Sequence, residues 1–134
     1  MRLLIDTNIF LEVILEQARA EEAQTFLGRN EEHEFFLSDF SLHSVGILLF
    51  RRKRHQVFRQ FLTDMMAQAG MELLSVPVSD MDAVALVAER FDLDFDDAYQ
   101  YTVAERRNLT VVSFDSDFDR TDRGRRTPAQ ILQP

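Results

Sequence analysis

Three aspartates of this 134-residue chain stand where a carboxylate is costly unless something compensates it. Asp6 ends the apolar run Leu3-Leu4-Ile5 in "LLIDTNIF", Asp115 follows a second such run in "VVSFDSDF", and Asp97 lies in "FDDAY" at the head of a helical segment. A charge set against apolar residues needs a partner. Asp6 therefore either caps the helix that follows it or binds a cation. If the strands ending at Ile5 and near Ser113 are parallel neighbours, Asp6 and Asp115 leave the sheet at the same edge, where α/β sheets bind ligands. A helix that leads into the last strand starts at that edge too, which brings Asp97 to the pair. Three carboxylates in one cleft repel, and a divalent cation relieves the repulsion. Oxygen ligands in a chain without cysteine point to Mg²⁺ or Mn²⁺. Taken singly, each has a plainer role: Asp6 as a cap, Asp97 at the positive end of its helix with Asp96 as the cap, Asp115-Ser116-Asp117 as a loop.

The elements that would position these acids alternate. Arg2–Ile5 reads as a buried strand, followed by a helix that carries Ile9, Phe10, Val13 and Ile14 and is capped by Thr7 or Asn8. A second helix spans about Ala18–Leu27. Glu34–Ser38 is the second strand, and Ser38 or Asp39 caps a helix from Phe40 to about Phe50. That helix is apolar nearly all round, so it is either deeply buried or a contact between subunits of a homodimer. A stripe from Val57 to Ala69 makes a further helix, closed by Gly70. Met71–Val76 is the third strand, Met81–Phe91 a helix, about Asp96–Arg107 another, and Leu109–Ser113 the fourth strand. Thr127-Pro128 is a cap followed by proline at a helix start. The expected fold is α/β: a three-layer sandwich with a mainly parallel central sheet, in a single domain over 1–134.

A net charge of −8 argues against a general nucleic-acid coat. Two basic clusters stand out, Arg51-Arg52-Lys53-Arg54 and Arg120 with Arg123, Arg125 and Arg126, either of which is a candidate to hold phosphates or simply a solvated surface. No apolar run approaches the length of a membrane span and no leader precedes the first strand, so a cytoplasmic protein is expected.

The set "LLIDTNIF", "FLSDFSLHSVGILL" and "FDDAYQYTVAERRNLTVVSFDSDF", from Leu3 to Phe118, resembles the PIN-domain nucleases, including the small ribonuclease toxins of toxin–antitoxin pairs of the VapC type. The resemblance implies a PIN-like fold and Mg²⁺- or Mn²⁺-dependent cleavage of single-stranded or looped RNA. It implies Asp6, Asp97 and Asp115 as catalytic metal ligands, with Thr7, Asn8, Ser113 and Asp117 in support. It also implies a cognate antitoxin that places a basic residue in the acidic cleft. One position departs from the family pattern: Ser44 stands where a glutamate is usual, so the pocket has fewer charges, and a catalytically degenerate module that binds RNA or protein is the alternative. His43 is no automatic substitute, since helix neighbours point about 100° apart, and a buried, hydrogen-bonded histidine is expected there. Glu12 is a further acid that could approach the cleft. Phosphoryl transfer through an aspartyl phosphate is disfavoured, because the only lysine, Lys53, lies in the basic block rather than at a strand end.

Overall fold

The computed structural model describes residues 1–134. Four strands, β1 (Arg2–Ile5), β2 (Glu34–Ser38), β3 (Glu72–Leu74) and β4 (Thr110–Val112), form one sheet in the order β3-β2-β1-β4. Every neighbouring pair is parallel, with Leu4 opposite Phe36 on one side and Val111 on the other. Parallel strands need crossovers, and the helices supply them: α1 (Thr7–Ile14), α2 (Ala20–Leu27), α3 (Asp39–Arg51), α4 (His55–Leu62), α5 (Met81–Phe91) and α6 (Phe95–Arg107). A short α7 (Pro128–Leu132) begins with Thr127 capping the Gln130 amide, and its Ala129 N–H reaches Glu22 of α2.

The period-two alternation of β1 divides the core. Leu3 and Ile5 face one layer, packed with Phe10, Phe26 and Leu49, while Leu4 faces the other with Val84, Tyr101 and Phe118. With helices on both faces the sheet is buried on both, which is why its central strands read as unbroken apolar runs.

Several boundaries differ from expectation. Of the residues considered as the cap of α1, Asp6 is used and Thr7 and Asn8 are not; its side chain accepts from the Thr7 amide at 2.8 Å. Asp94, not Asp96, is the N-cap residue of α6, which puts Asp96 in the first turn beside Asp97. Of the two caps considered for α3, Ser38 is used, accepting from the Ser41 amide. The Val57–Ala69 stripe is not one regular helix: beyond Leu62 it widens into a π-turn over Thr63–Gln68, with Ala69 N–H bonded to the Asp64 carbonyl. Gly70 then takes a positive φ of 66°, which ends it. β3 is shorter than Met71–Val76 because the Val76 amide bonds to the Tyr99 hydroxyl at 2.9 Å instead of to a strand. In α3, Ser41, Val45 and Leu49 are buried, but Ile47 and Phe50 remain 53% and 52% exposed, so the helix is not buried all round. No helix is long and apolar enough to cross a membrane.

Candidate active site

Because β1 and β4 are parallel neighbours, Asp6 and Asp115 emerge at one edge of the sheet, and the start of α6 delivers Asp97 there. Asp6, Asp97 and Asp115 line one cleft of about 290 Å³ together with Thr7, Asn8, Leu11, Phe40, Ser44 and Asp96. Asp97, Asp115 and Asp117 each offer a carboxylate oxygen within 4.8 Å of the other two. Asp6 lines the same cleft but lies outside that trio. Loop geometry holds the far side: Asp115 accepts from the Asp117 amide at 2.9 Å, and Asp117 is paired with Arg120 at 3.0 Å.

Asp6 is buried and closely held by neutral donors. Oδ1 accepts from the Thr7 amide and from Gln100 Nε2 at 3.1 Å; Oδ2 accepts from the Ser113 hydroxyl at 2.7 Å and from Asn8 Nδ2 at 3.3 Å. Gln100 Nε2 also donates to Ser41 Oγ at 2.6 Å, and the Thr7 hydroxyl donates to the same oxygen. Asn8 reaches back through Oδ1 to the Phe114 amide, and Ser113 Oγ accepts from the Asp115 amide. The three ends of β1, β4 and α6 are thus joined through one carboxylate. Replacing Ser113 by alanine removes the shortest of these bonds and leaves the Asp115 amide without its acceptor. A loss of about 1–3 kcal/mol of stability is expected, read as a lower urea midpoint at unchanged m-value.

Burial raises the Asp97 carboxyl to about 8, with the charges of Asp115, Asp96 and Asp6 adding to the rise. Burial also pushes Asp6 up, against the opposing pull of its bonds to Ser113 and Gln100. The pocket is therefore short of positive charge. Its chemistry fits a hard divalent cation: three oxygen donors lie within 4.8 Å of one another, close to the ~4.2 Å between opposite ligands of an octahedral Mg²⁺, and of the three only Asp117 has a cationic partner, Arg120.

The other residues singled out in the sequence fall differently. Ser44 lines the cleft with a hydroxyl. His43 is exposed and its imidazole makes no hydrogen bond, which corrects the expectation of a buried imidazole; it lies beside Gly46, Ile47, Phe50 and Phe58 on the outer flank of α3. Glu12 does not line the cleft; it accepts from the Arg19 amide at 2.7 Å. The second basic cluster is largely engaged internally. Arg120 holds Asp117 and the Phe91 and Asp92 carbonyls, Arg123 the Asn108 side chain and Leu109 carbonyl, and Arg125 Asp119 and the Ser113 carbonyl. Arg51, Arg52, Lys53 and Arg54 are all exposed. Gln100 and Ser41 are site residues that the sequence reading missed. Their signal was spacing: Gln100 lies one helical turn beyond Asp97, and Ser41 one turn before Ser44.

A family model described as the PIN domain matches residues 3–124. No curated protein matches the chain. Among solved structures, a toxin–antitoxin complex from Klebsiella pneumoniae is similar at 19% identity and a TM-score of 0.72, over 94% of this chain and 97% of that one. VapBC2 from Rickettsia felis, bound to a DNA fragment from its promoter, gives 15% identity and a TM-score of 0.73 over 93% and 96%. The sarcin–ricin-loop-cleaving toxin VapC20 of Mycobacterium tuberculosis gives 20% and 0.72 over 87% and 92%. At these identities the likeness is one of fold.

Proposed function

The chain belongs to the PIN domain family, and from that premise we propose that it is a divalent-metal-dependent endoribonuclease, the toxin of a toxin–antitoxin pair. The observation that carries the reading is the convergence of Asp97, Asp115 and Asp117 within 4.8 Å at the sheet edge where Asp6 also emerges. One similar structure is described as a toxin–antitoxin complex and another as a sarcin–ricin-loop-cleaving toxin, which supports the biological role.

Asp97, Asp115 and Asp117 would hold Mg²⁺ or Mn²⁺, with Asp6 as the fourth acid of the cleft. Such an ion, when bound, polarises the phosphodiester and makes hydroxide accessible at neutral pH. The chain's own residues do the rest. Asp6, fixed by four donors, keeps β1, β4 and α6 in register around the cleft. Ser113 and Asn8 hold its Oδ2, and Gln100 with Thr7 holds Oδ1. Asp97 keeps a proton at its carboxyl until a cation or a shift in pH removes it. Cleavage is expected to leave a 5′-phosphate and a 3′-hydroxyl.

The antitoxin would cover the acidic cleft with a basic side chain, and a homodimer would bury Ile47 and Phe50 on the outer flank of α3. Action on RNA in the cytoplasm completes the reading. A second reading, a PIN-fold module that binds RNA or protein without cutting, is favoured by Ser44, whose neutral hydroxyl lines the cleft. Incubation of structured RNA with the protein and Mn²⁺ separates the two. Cleavage that vanishes with EDTA and in Asp115→Asn is expected; intact RNA, or equal cleavage by the variant, supports the second reading.

A further inference from the structure

Arg51, Arg52, Lys53 and Arg54 are the densest run of cations in a chain of net charge −8. Eight other arginines form ion pairs with acids, and none of these four residues does. An acidic protein that leaves this run unpaired presents it to anions from outside. Arg51 and Arg52 line a surface hollow with Leu11, Ser44, Ile47 and Leu48. Leu11 and Ser44 also line the acidic cleft, so the two hollows share a wall. Ser44, Leu48, Arg51 and Arg52 follow one another along one stripe of α3, and from Ser44 to Arg51 the helix rises by ~10 Å.

Ser44 decides what this wall can pass. A carboxylate there would place negative charge between the cleft and the arginines, whereas a hydroxyl donates a hydrogen bond and carries no charge. Elsewhere the lining of the cleft offers aspartates, the apolar Leu11 and Phe40, and Thr7 and Asn8, whose side chains are already bonded to Ser41 and to Asp6, Ser113 and the Phe114 amide. A nucleic-acid strand with one phosphate in the cleft has another phosphate one nucleotide away, and the shared wall leads that group to unpaired guanidinium forks, which match phosphate geometry.

We propose that Ser44, Arg51 and Arg52 form a phosphate subsite that holds a backbone phosphate adjoining the scissile one in single-stranded RNA. This rests on the nuclease reading above. Ser44 Oγ donates to a phosphate oxygen, and Arg51 and Arg52 supply the charge. An acidic segment of a protein partner is the rival occupant.

The test uses a fluorescein-labelled single-stranded oligoribonucleotide, with Mg²⁺ and the Asp97→Asn protein to prevent turnover, titrated at several salt concentrations. Adding Arg51→Ala/Arg52→Ala is expected to weaken binding roughly tenfold and to flatten the plot of log K against log salt by ~0.7, the value for one phosphate contact on a single strand. Arg29→Ala/Arg106→Ala, which removes the same charge from two acid-paired positions, is expected to leave that slope in place. Ser44→Glu is expected to weaken oligonucleotide binding without lowering the thermal stabilisation by Mn²⁺. In the cleaving enzyme the Arg51/Arg52 double variant raises KM more than it lowers kcat. An unchanged affinity and slope in that variant overturns the subsite, as does loss of poly-glutamate binding with RNA binding intact. If the unaltered protein cleaves RNA while the double variant keeps its KM, only the subsite falls; if the unaltered protein neither binds nor cleaves RNA, the nuclease reading falls with it.

Discussion

Asp97→Asn is expected to reduce RNA cleavage about a thousandfold and, in the absence of metal, to make the folded protein more stable. Both effects have one origin. Asp97 is 5% exposed and faces Asp115, Asp96 and Asp6, so its carboxyl rises from 3.8 to about 8. A carboxyl whose pKa is raised on folding binds its proton more tightly in the folded state. That proton's contribution is complete below the unfolded value near 4 and is lost as pH climbs through about 8. Asparagine fills the same space with no charge to desolvate. At pH 8 the variant should therefore be more stable than the unaltered protein by about 1–3 kcal/mol, since water reaching the open cleft moderates the repulsion. That corresponds to a Tm gain of roughly 3–10 °C in EDTA. At pH 5 most of the gain should disappear. Loss of activity follows because the variant gives up a charged oxygen of the trio that would hold the cation, an electrostatic contribution worth several kcal/mol in the transition state. A gain of equal size at pH 5 and pH 8 would exclude charge burial as its cause, and cleavage at the original rate would remove Asp97 from the site.

What could be read from the chain beforehand depended on how local the causes were. β1 and β2 fall on the residues expected, because a central parallel strand buried on both faces is an apolar run with sharp polar ends. The convergence of Asp6, Asp97 and Asp115 on one cleft follows from element order alone, since strand ends and helix starts of a parallel sheet share an edge. β3 could not be bounded that way. Its end is set by the Tyr99 hydroxyl, which takes the Val76 amide and gives its proton to Asp39, across 60 residues of sequence. The Gln100 bridge between Asp6 and Ser41 is likewise non-local, and one carbonyl oxygen, Gln100 Oε1, is left buried without a partner. Of the two roles open to Asp6, helix cap or cation ligand, the structure shows the cap, and it sets the same carboxylate in the lining of the acidic cleft.

Millimolar Mn²⁺ is expected to raise the Tm of the protein by roughly 10 °C at pH 8 and by far less at pH 5.5. A ligand that binds only the folded state stabilises it by about 2.7 kcal/mol at a hundred times its Kd. Here the gain is coupled to a proton. With Asp97 held near 8, a cation at acidic pH must displace the proton before it can use that oxygen, and the apparent affinity falls accordingly. Burial pushes Asp6 in the same direction, which steepens the dependence. The pH trend in Mn²⁺ is thus opposite to that in EDTA, where the contribution of Asp97 weakens as pH rises. Differential scanning fluorimetry across pH 5.5–8, with and without the metal, reads both trends from one protein sample. Ser44 gives the measurement its force: a cleft with a neutral hydroxyl at this position still binds the cation if Asp97, Asp115 and Asp117 suffice. No Mn²⁺ shift at any pH would mean that they do not, and that the fold has been kept for binding without cleavage.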